Sequence, residues 1–154
     1  KIKIPDNFNK LQLSNTLTIL GTKLLIDTIK NIFNDKISLV PQDESMATYA
    51  NKIKPEDRKI NFNNTADNII NLIRAHAPKP GVWFTHNNEK IKILDAKKST
   101  NISKPSVINN HDFDIGCLDA SIKLLIVQRE GRKVVTIEEF LRGYKFKIGD
   151  AVNE

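Results

Sequence analysis

The sequence predicts an α+β protein: a small β-barrel with flanking helices, preceded by a linker and by one long helix that belongs to a body outside the chain. Three observations lead there. Apolar residues recur at helical spacing from Leu13 to Phe33, a polar stretch from Pro41 to Lys59 shows little periodicity, and beyond it short β-rich segments alternate with turn signals.

The first element spans about Lys10 to Asn34. Leu13, Leu17, Leu20 and Leu24 form a stripe that Leu25, Ile29, Ile32 and Phe33 widen. So wide an apolar face requires a partner, and no neighbouring segment supplies one. Gly21 in its middle costs ~1 kcal/mol relative to Ala, which predicts a neighbour's backbone packed closely against it. Pro41 to Lys59, "PQDESMATYANKIKPEDRK", has prolines at both ends of a polar run and reads as an extended linker.

Asn63 or Asn64 can cap a second helix, with Ile69, Leu72, Ile73 and His76 on one face and Pro78 ending it. The corner "HAPKPGVWF" then turns helix into strand, because its two prolines remove donors and fix torsions while "GVWF" has strand character. Trp83 is read as a core residue plugging the barrel. Strands flank a turn at His86 to Glu89, with Lys90, Ile91, Lys92 and Ile93 alternating cleanly. "SIKLLIVQ", Ser121 to Gln128, is a more buried strand, and Val107 to Ile108, Asp114 to Cys117 and Lys133 to Val135 are shorter ones. Four or five strands at this spacing favour closure, which removes sheet edges. Thr136 with Glu139 forms a capping box for a last helix whose Ile137, Phe140 and Leu141 face inward before Gly143.

Composition narrows the functional classes. The 154 residues are 40% hydrophobic and 27% charged, the balance of a globular chain. No run approaches the ~18 apolar residues of a membrane span, so a soluble protein with no membrane partner is expected. Cys117 is alone, which fits a reducing cytoplasm and a buried small apolar side chain. His76, His86 and His111 lack metal-ligand spacing, and no metal site is expected. The net charge of +6 is unevenly spread: residues 1–40 carry six bases against three acids and residues 61–104 seven against three, while 105–154 is slightly acidic. A polyanionic partner is the natural match.

No glycine-rich nucleotide loop and no nucleophile elbow occurs, and the carboxylate pairs Asp43–Glu44 and Glu56–Asp57 lie in solvated linker. By its own residues the chain shows no catalytic site and no cofactor-binding site. Three blocks are nevertheless distinctive: "PQDESMATYANKIKPEDRKINF", "IRAHAPKPGVWF" and "VQREGRKVVTIEEFLRGYKFKIGD". Together they resemble the linker and C-terminal domain of the methionyl-tRNA formyltransferases. The resemblance implies three parts: residues 1–40 as the end of a Rossmann-like catalytic formyltransferase domain, 41–60 as linker, and 61–154 as a C-terminal OB-like barrel. It also implies transfer of a formyl group from 10-formyltetrahydrofolate to the amino group of initiator methionyl-tRNA. The family's catalytic asparagine, histidine and aspartate would lie before Lys1, in an N-terminal catalytic domain of the same protein, so none is carried over. A monomer is expected. The family usually has an aromatic at His76, a tryptophan at Lys79 and a glycine at Ser106, and this chain departs at all three.

Another folate-dependent formyltransferase, acting on a sugar nucleotide or related amine, is the near alternative, although "FLRG" and "ATYANKI" argue against it. A stand-alone RNA-binding module is the alternative from another class. The resemblance and the charge together make bases the candidates for tRNA contact. They are Lys52, Lys54, Arg58 and Lys59 on the linker, Lys90 and Lys92 on one strand face, Lys97 and Lys98 at its end, and Arg142, Lys145 and Lys147 after the last helix.

Overall fold

The computed structural model describes residues 1–153 and divides into two compact units, Lys1–Ile53 and Lys54–Glu154. The first is built on α1, Lys10–Phe33. Its start is fixed by a capping box: the Asn9 side chain accepts from the Gln12 amide at 3.0 Å, and the Gln12 side chain accepts from the Asn9 amide at 2.9 Å. None of the helix is buried; Leu24 and Phe33 are 69% and 84% exposed. The close approach expected at Gly21 is absent, since nothing lies within 4 Å of a Cβ placed there. The face that Gly21 interrupts simply has no partner within the unit. A short 3-10 turn, Glu44–Met46, follows, its Asp43 side chain accepting from the Ser45 amide.

In the second unit the chain begins to pack at once. After a 3-10 turn at Glu56–Arg58, Ile60 is buried and its amide donates to the Trp83 carbonyl at 2.8 Å. The helix α2, Ala66–His76, is capped by Thr65, whose side chain accepts from the Asn68 amide, rather than by Asn63 or Asn64. Those asparagines are engaged instead in a local turn on Asn61. The helix buries Ile69 and Ile73 and ends before Pro78 as its sequence requires.

The strands are β1 (Val82–His86), β2 (Glu89–Ser99), β3 (Ile115–Gly116), β4 (Ser121–Arg129) and β5 (Val134–Thr136). Asn87 and Asn88, at φ 51° and 60°, make the two-residue turn between β1 and β2. Pairing is antiparallel throughout and runs β1-β2-β4-β3, with β5 also on β4. Strand pairing does not close this sheet, because β1 and β3 end the path. Irregular segments run between the ends: Asn153 donates its amide to the Thr85 carbonyl, Val107 bridges Ala151, and Ile108 bridges Ile115. With β3 only two residues long, single bridges satisfy backbone groups that a longer ladder would otherwise take.

The core lies between the sheet's inner face and the helices α2 and α3 (Ile137–Leu141). The expected capping box is present, with Thr136 and Glu139 bonded reciprocally. Phe113, fully buried at φ 63°, is the hub: the rings of Phe84, His86, Phe140, Tyr144 and Phe146 lie 4.8 to 6.3 Å from its centroid.

Phe113→Ala should therefore destabilise the second unit by ~3–5 kcal/mol, the usual range for emptying a buried Phe site, read as a shift in the urea midpoint. Hydrogen exchange should show α1 amides opening well before those of β4, since α1 buries no side chain. Equal protection would mean that the helix face is covered in solution.

Candidate nucleic-acid interface

Strand alternation settles which side chains leave the body. On β1, Val82, Phe84 and His86 point inward, so Trp83 and Thr85 point outward. Trp83 is accordingly half-buried on the surface and does not plug the core; the same V-W-F-T-H alternation already carried that signal in the sequence. Its cross-strand partner is Lys92, and Lys90 lies opposite Thr85 on the same outer face. On the other side of β1, Lys59 bridges Trp83 in parallel.

Two ammonium groups lie over the indole. Lys90 Nζ is 4.5 Å from the ring centroid and Lys59 Nζ 5.7 Å. Trp83 Nε1 donates to the Pro55 carbonyl at 3.3 Å, and Arg58 Nη1 donates to the Gly81 carbonyl at 3.3 Å. Arg58, Lys59, Lys90 and Lys92 are thus gathered around one aromatic side chain, with Lys54 beside Pro55. Among the described residues, none of those four bases has a carboxylate within ion-pair distance. The nearest acids in sequence are engaged or apart: Asp57 accepts from the Lys54 amide, and Glu89 pairs with Arg129 at 2.6 Å.

The other predicted bases are placed differently. Lys97 and Lys98 stand at the far end of β2, beyond a register shift between Ile93 and Ala96. Lys97 is exposed opposite Lys123. Lys98 turns to the helix side, where its ammonium contacts Asp67 at 2.7 Å and Asp119 at 3.4 Å. The Asp67 hydrogen bond, helped by the charges of both carboxylates, raises its pKa above the ordinary lysine value. Lys123 is likewise paired, with Asp112 at 2.7 Å. Arg142 ends α3, and Lys145 and Lys147 are exposed just after it, where Asn87 Nδ2 reaches the Lys145 carbonyl. Lys52 is exposed in the first unit.

Arg132 and Lys133, which motif reading passed over, line an open cleft of about 410 Å³ with Arg129 and Glu139. They belong to a turn, and only the folded chain brings them beside α3. Cys117 is buried 3.7 Å from the Ile115 carbonyl, and burial, with some help from Asp119, pushes its thiol up to about 12. His86 is also buried, its Nδ1 2.8 Å from the Tyr144 hydroxyl and its Nε2 3.4 Å from Asp150 Oδ2. That contact ties the hairpin to the C-terminal segment. No helix among the described residues is long and apolar enough to cross a membrane.

Residues 52–145 match the family model described as formyl transferase, C-terminal domain. The chain is 35% identical to the methionyl-tRNA formyltransferase of Pelagibacter ubique over 153 residues, 99% of this chain and 49% of that protein. It is 37% identical to that of Rickettsia bellii, over 92% of this chain and 47% of the relative. It therefore spans about half the length of the curated relatives it matches. Among solved structures, a variant of HypX from Aquifex aeolicus aligns with TM-score 0.70 at 16% identity, over 95% of this chain and 28% of that one. HypX in complex with tetrahydrofolic acid aligns at 0.60 and 14%, over 82% and 26%. At such identities the likeness concerns the fold.

Asp119 provides a test of the acidic end. Its carboxylate accepts from the Ala66 amide at 2.8 Å, which with Lys98 holds its pKa below the ordinary value. A depressed folded pKa stabilises the protein above the unfolded pKa, ~4, and that contribution is lost as pH falls through the folded value. Asp119→Asn should lower the melting temperature at neutral pH. The gap from the parent should shrink on acidification below ~4; a gap that stays constant would mean that the charge is immaterial.

Proposed function

Because the chain belongs to the formyl transferase C-terminal domain family, we propose that it is the tRNA-holding portion of a methionyl-tRNA formyltransferase. In this reading the whole enzyme works in the cytoplasm as a monomer. It moves a formyl group from 10-formyltetrahydrofolate to the methionine amino group of initiator methionyl-tRNA. The attacking amine is the substrate's own, and the groups that take its proton and seat the folate belong to an N-terminal catalytic domain of the same protein. Residues 1–40 end that domain, 41–60 form the linker and 61–154 the C-terminal domain. The exposed apolar face of α1 packs on the catalytic domain. The C-terminal body is an OB-like barrel whose gap between β1 and β3 is filled by irregular segments rather than a strand.

The observation that carries the reading is the set of bases around Trp83 that have no acidic partner among the described residues. Tens of phosphates on a tRNA present a dense negative field, and unpaired lysines on a rigid sheet meet it without first breaking an ion pair. Lys54, Arg58, Lys59, Lys90 and Lys92 supply that face, and Lys52, in the first unit, is a further candidate. Arg142, Lys145 and Lys147 form a second group. Lys97 and Lys98 complete the candidates, although Lys98 must part from two carboxylates to reach a phosphate.

The chain should bind tRNA weakly, with little preference for the initiator species, and its affinity should fall steeply with salt. Each neutralised phosphate adds ~0.9 to the slope of log K against log salt on a duplex. Changing Lys90, Lys92, Lys97 and Lys98 together to Ala should flatten that slope, while changing Lys10 and Lys23 on α1 should do less. The chain alone should transfer no formyl group. Absence of tRNA binding at low salt, or formylation by the chain alone, would overturn the reading.

A further inference from the structure

We propose that Trp83 is the positioning residue of the RNA-contacting face: its indole holds Lys59 and Lys90 in place so that both meet the phosphate backbone together. This rests on the reading above and specifies how that face is built.

Lys59 and Lys90 come from the two segments that flank β1, one bridged to Trp83 in parallel and the other on the antiparallel strand β2. Adjacent strands lie ~4.8 Å apart, so the two backbones are separated by about 10 Å with the indole between them. Both long side chains nevertheless end over one ring. A lysine ordinarily loses much rotamer freedom on meeting a phosphate, and one already resting on an aromatic face has lost part of it beforehand. The ring engages one side of each ammonium, leaving N–H groups on the other side for phosphate oxygens. The indole is itself held, because Nε1 donates to the Pro55 carbonyl and so joins the 54–60 segment to the strand.

A base stacking on Trp83 is the competing use of an exposed indole, and it requires Lys90 to leave its place at 4.5 Å. The two lysines already cover the ring, so the phosphate reading needs no rearrangement. Lys98 provides the contrast: it is ordered by carboxylates instead, and ion pairing opposes phosphate contact where a ring does not.

The experiment measures the salt slope of tRNA binding for the full chain and its variants. Lys59→Ala with Lys90→Ala should reduce the slope by about 2, one per lost phosphate contact. Trp83→Leu should reduce it by a similar amount with both lysines present, and should add little when they are already gone. Trp83→Phe, which keeps a ring, should recover most of the slope; it also guards against a Leu variant that folds poorly, checked by circular dichroism. Lys123→Ala, at an ammonium held by Asp112 and outside the candidate face, should leave the slope nearly unchanged. Additive loss from Trp83 and the two lysines would favour base stacking and overturn the proposal, as would a Trp83→Leu slope equal to the parent's. If the parent chain fails to bind tRNA at low salt, the functional reading falls and the proposal with it. Parent binding with an insensitive Trp83 overturns the proposal alone.

Discussion

The second unit depends on one aromatic residue held in a backbone conformation it would not choose. Phe113 sits at φ 63°, a region costly for a bulky L side chain, and it persists there because the surroundings leave no alternative. Asn110 Oδ1 accepts from the amides of Asp112 and Asp114, folding the loop tightly around it. The ring then meets Phe84 and His86 from β1, Phe140 from α3, and Tyr144 and Phe146 from the segment beyond. A loop, a strand and the C-terminal segment are joined through one side chain. Because Phe84 and His86 are pinned inside, the period of two fixes Trp83 and Thr85 outside. The geometry of the basic face is thus set from the opposite side of the strand.

Charge is sorted along the sheet by the same local rules. At the β3 end, Asp67, Asp112 and Asp119 take up Lys98 and Lys123. Near the turn, Arg129 is taken by Glu89. Among the described residues, the bases Arg58, Lys59, Lys90 and Lys92 around Trp83 have no carboxylate within ion-pair distance. A formal charge of +6 spread evenly would be a weak guide to a partner. Of those bases, Lys90 and Lys92 lie on the regular strand β2, whose ladder fixes where they stand.

Much of this was legible in the sequence, and the omissions share a cause. The long helix, the hairpin, β4 and the Thr136–Glu139 capping box are recorded in local spacing, which a linear reading sees. Thr65 replaced the asparagines as cap of α2 because Asn61, Asn63 and Asn64 bond among themselves, and several side chains competed for one role. Gly21 invited a packing explanation that no neighbour in its unit supplies. Trp83 went astray because size was allowed to outweigh alternation, although Val82 and Phe84 on either side claimed the interior. The partners of Lys98 come from 31 and 21 residues away, and no spacing rule reaches that far.

The same distinction decides how far lysines can be read as a binding face. A lysine's sequence position says which strand face it occupies, but its availability depends on the carboxylates that folding brings near it. Lys92 and Lys98 look equivalent in "EKIKILDAKKS", six residues apart on one strand. The register shift between Ile93 and Ala96 puts them on different sides of the sheet, one beside an indole and the other between two aspartates. An extra residue in a strand reverses the facing of everything beyond it. The irregularity in β2 therefore separates the face we propose for a polyanion from one that holds the helix α2 in place, as Asp119 does when it accepts from the Ala66 amide while pairing with Lys98.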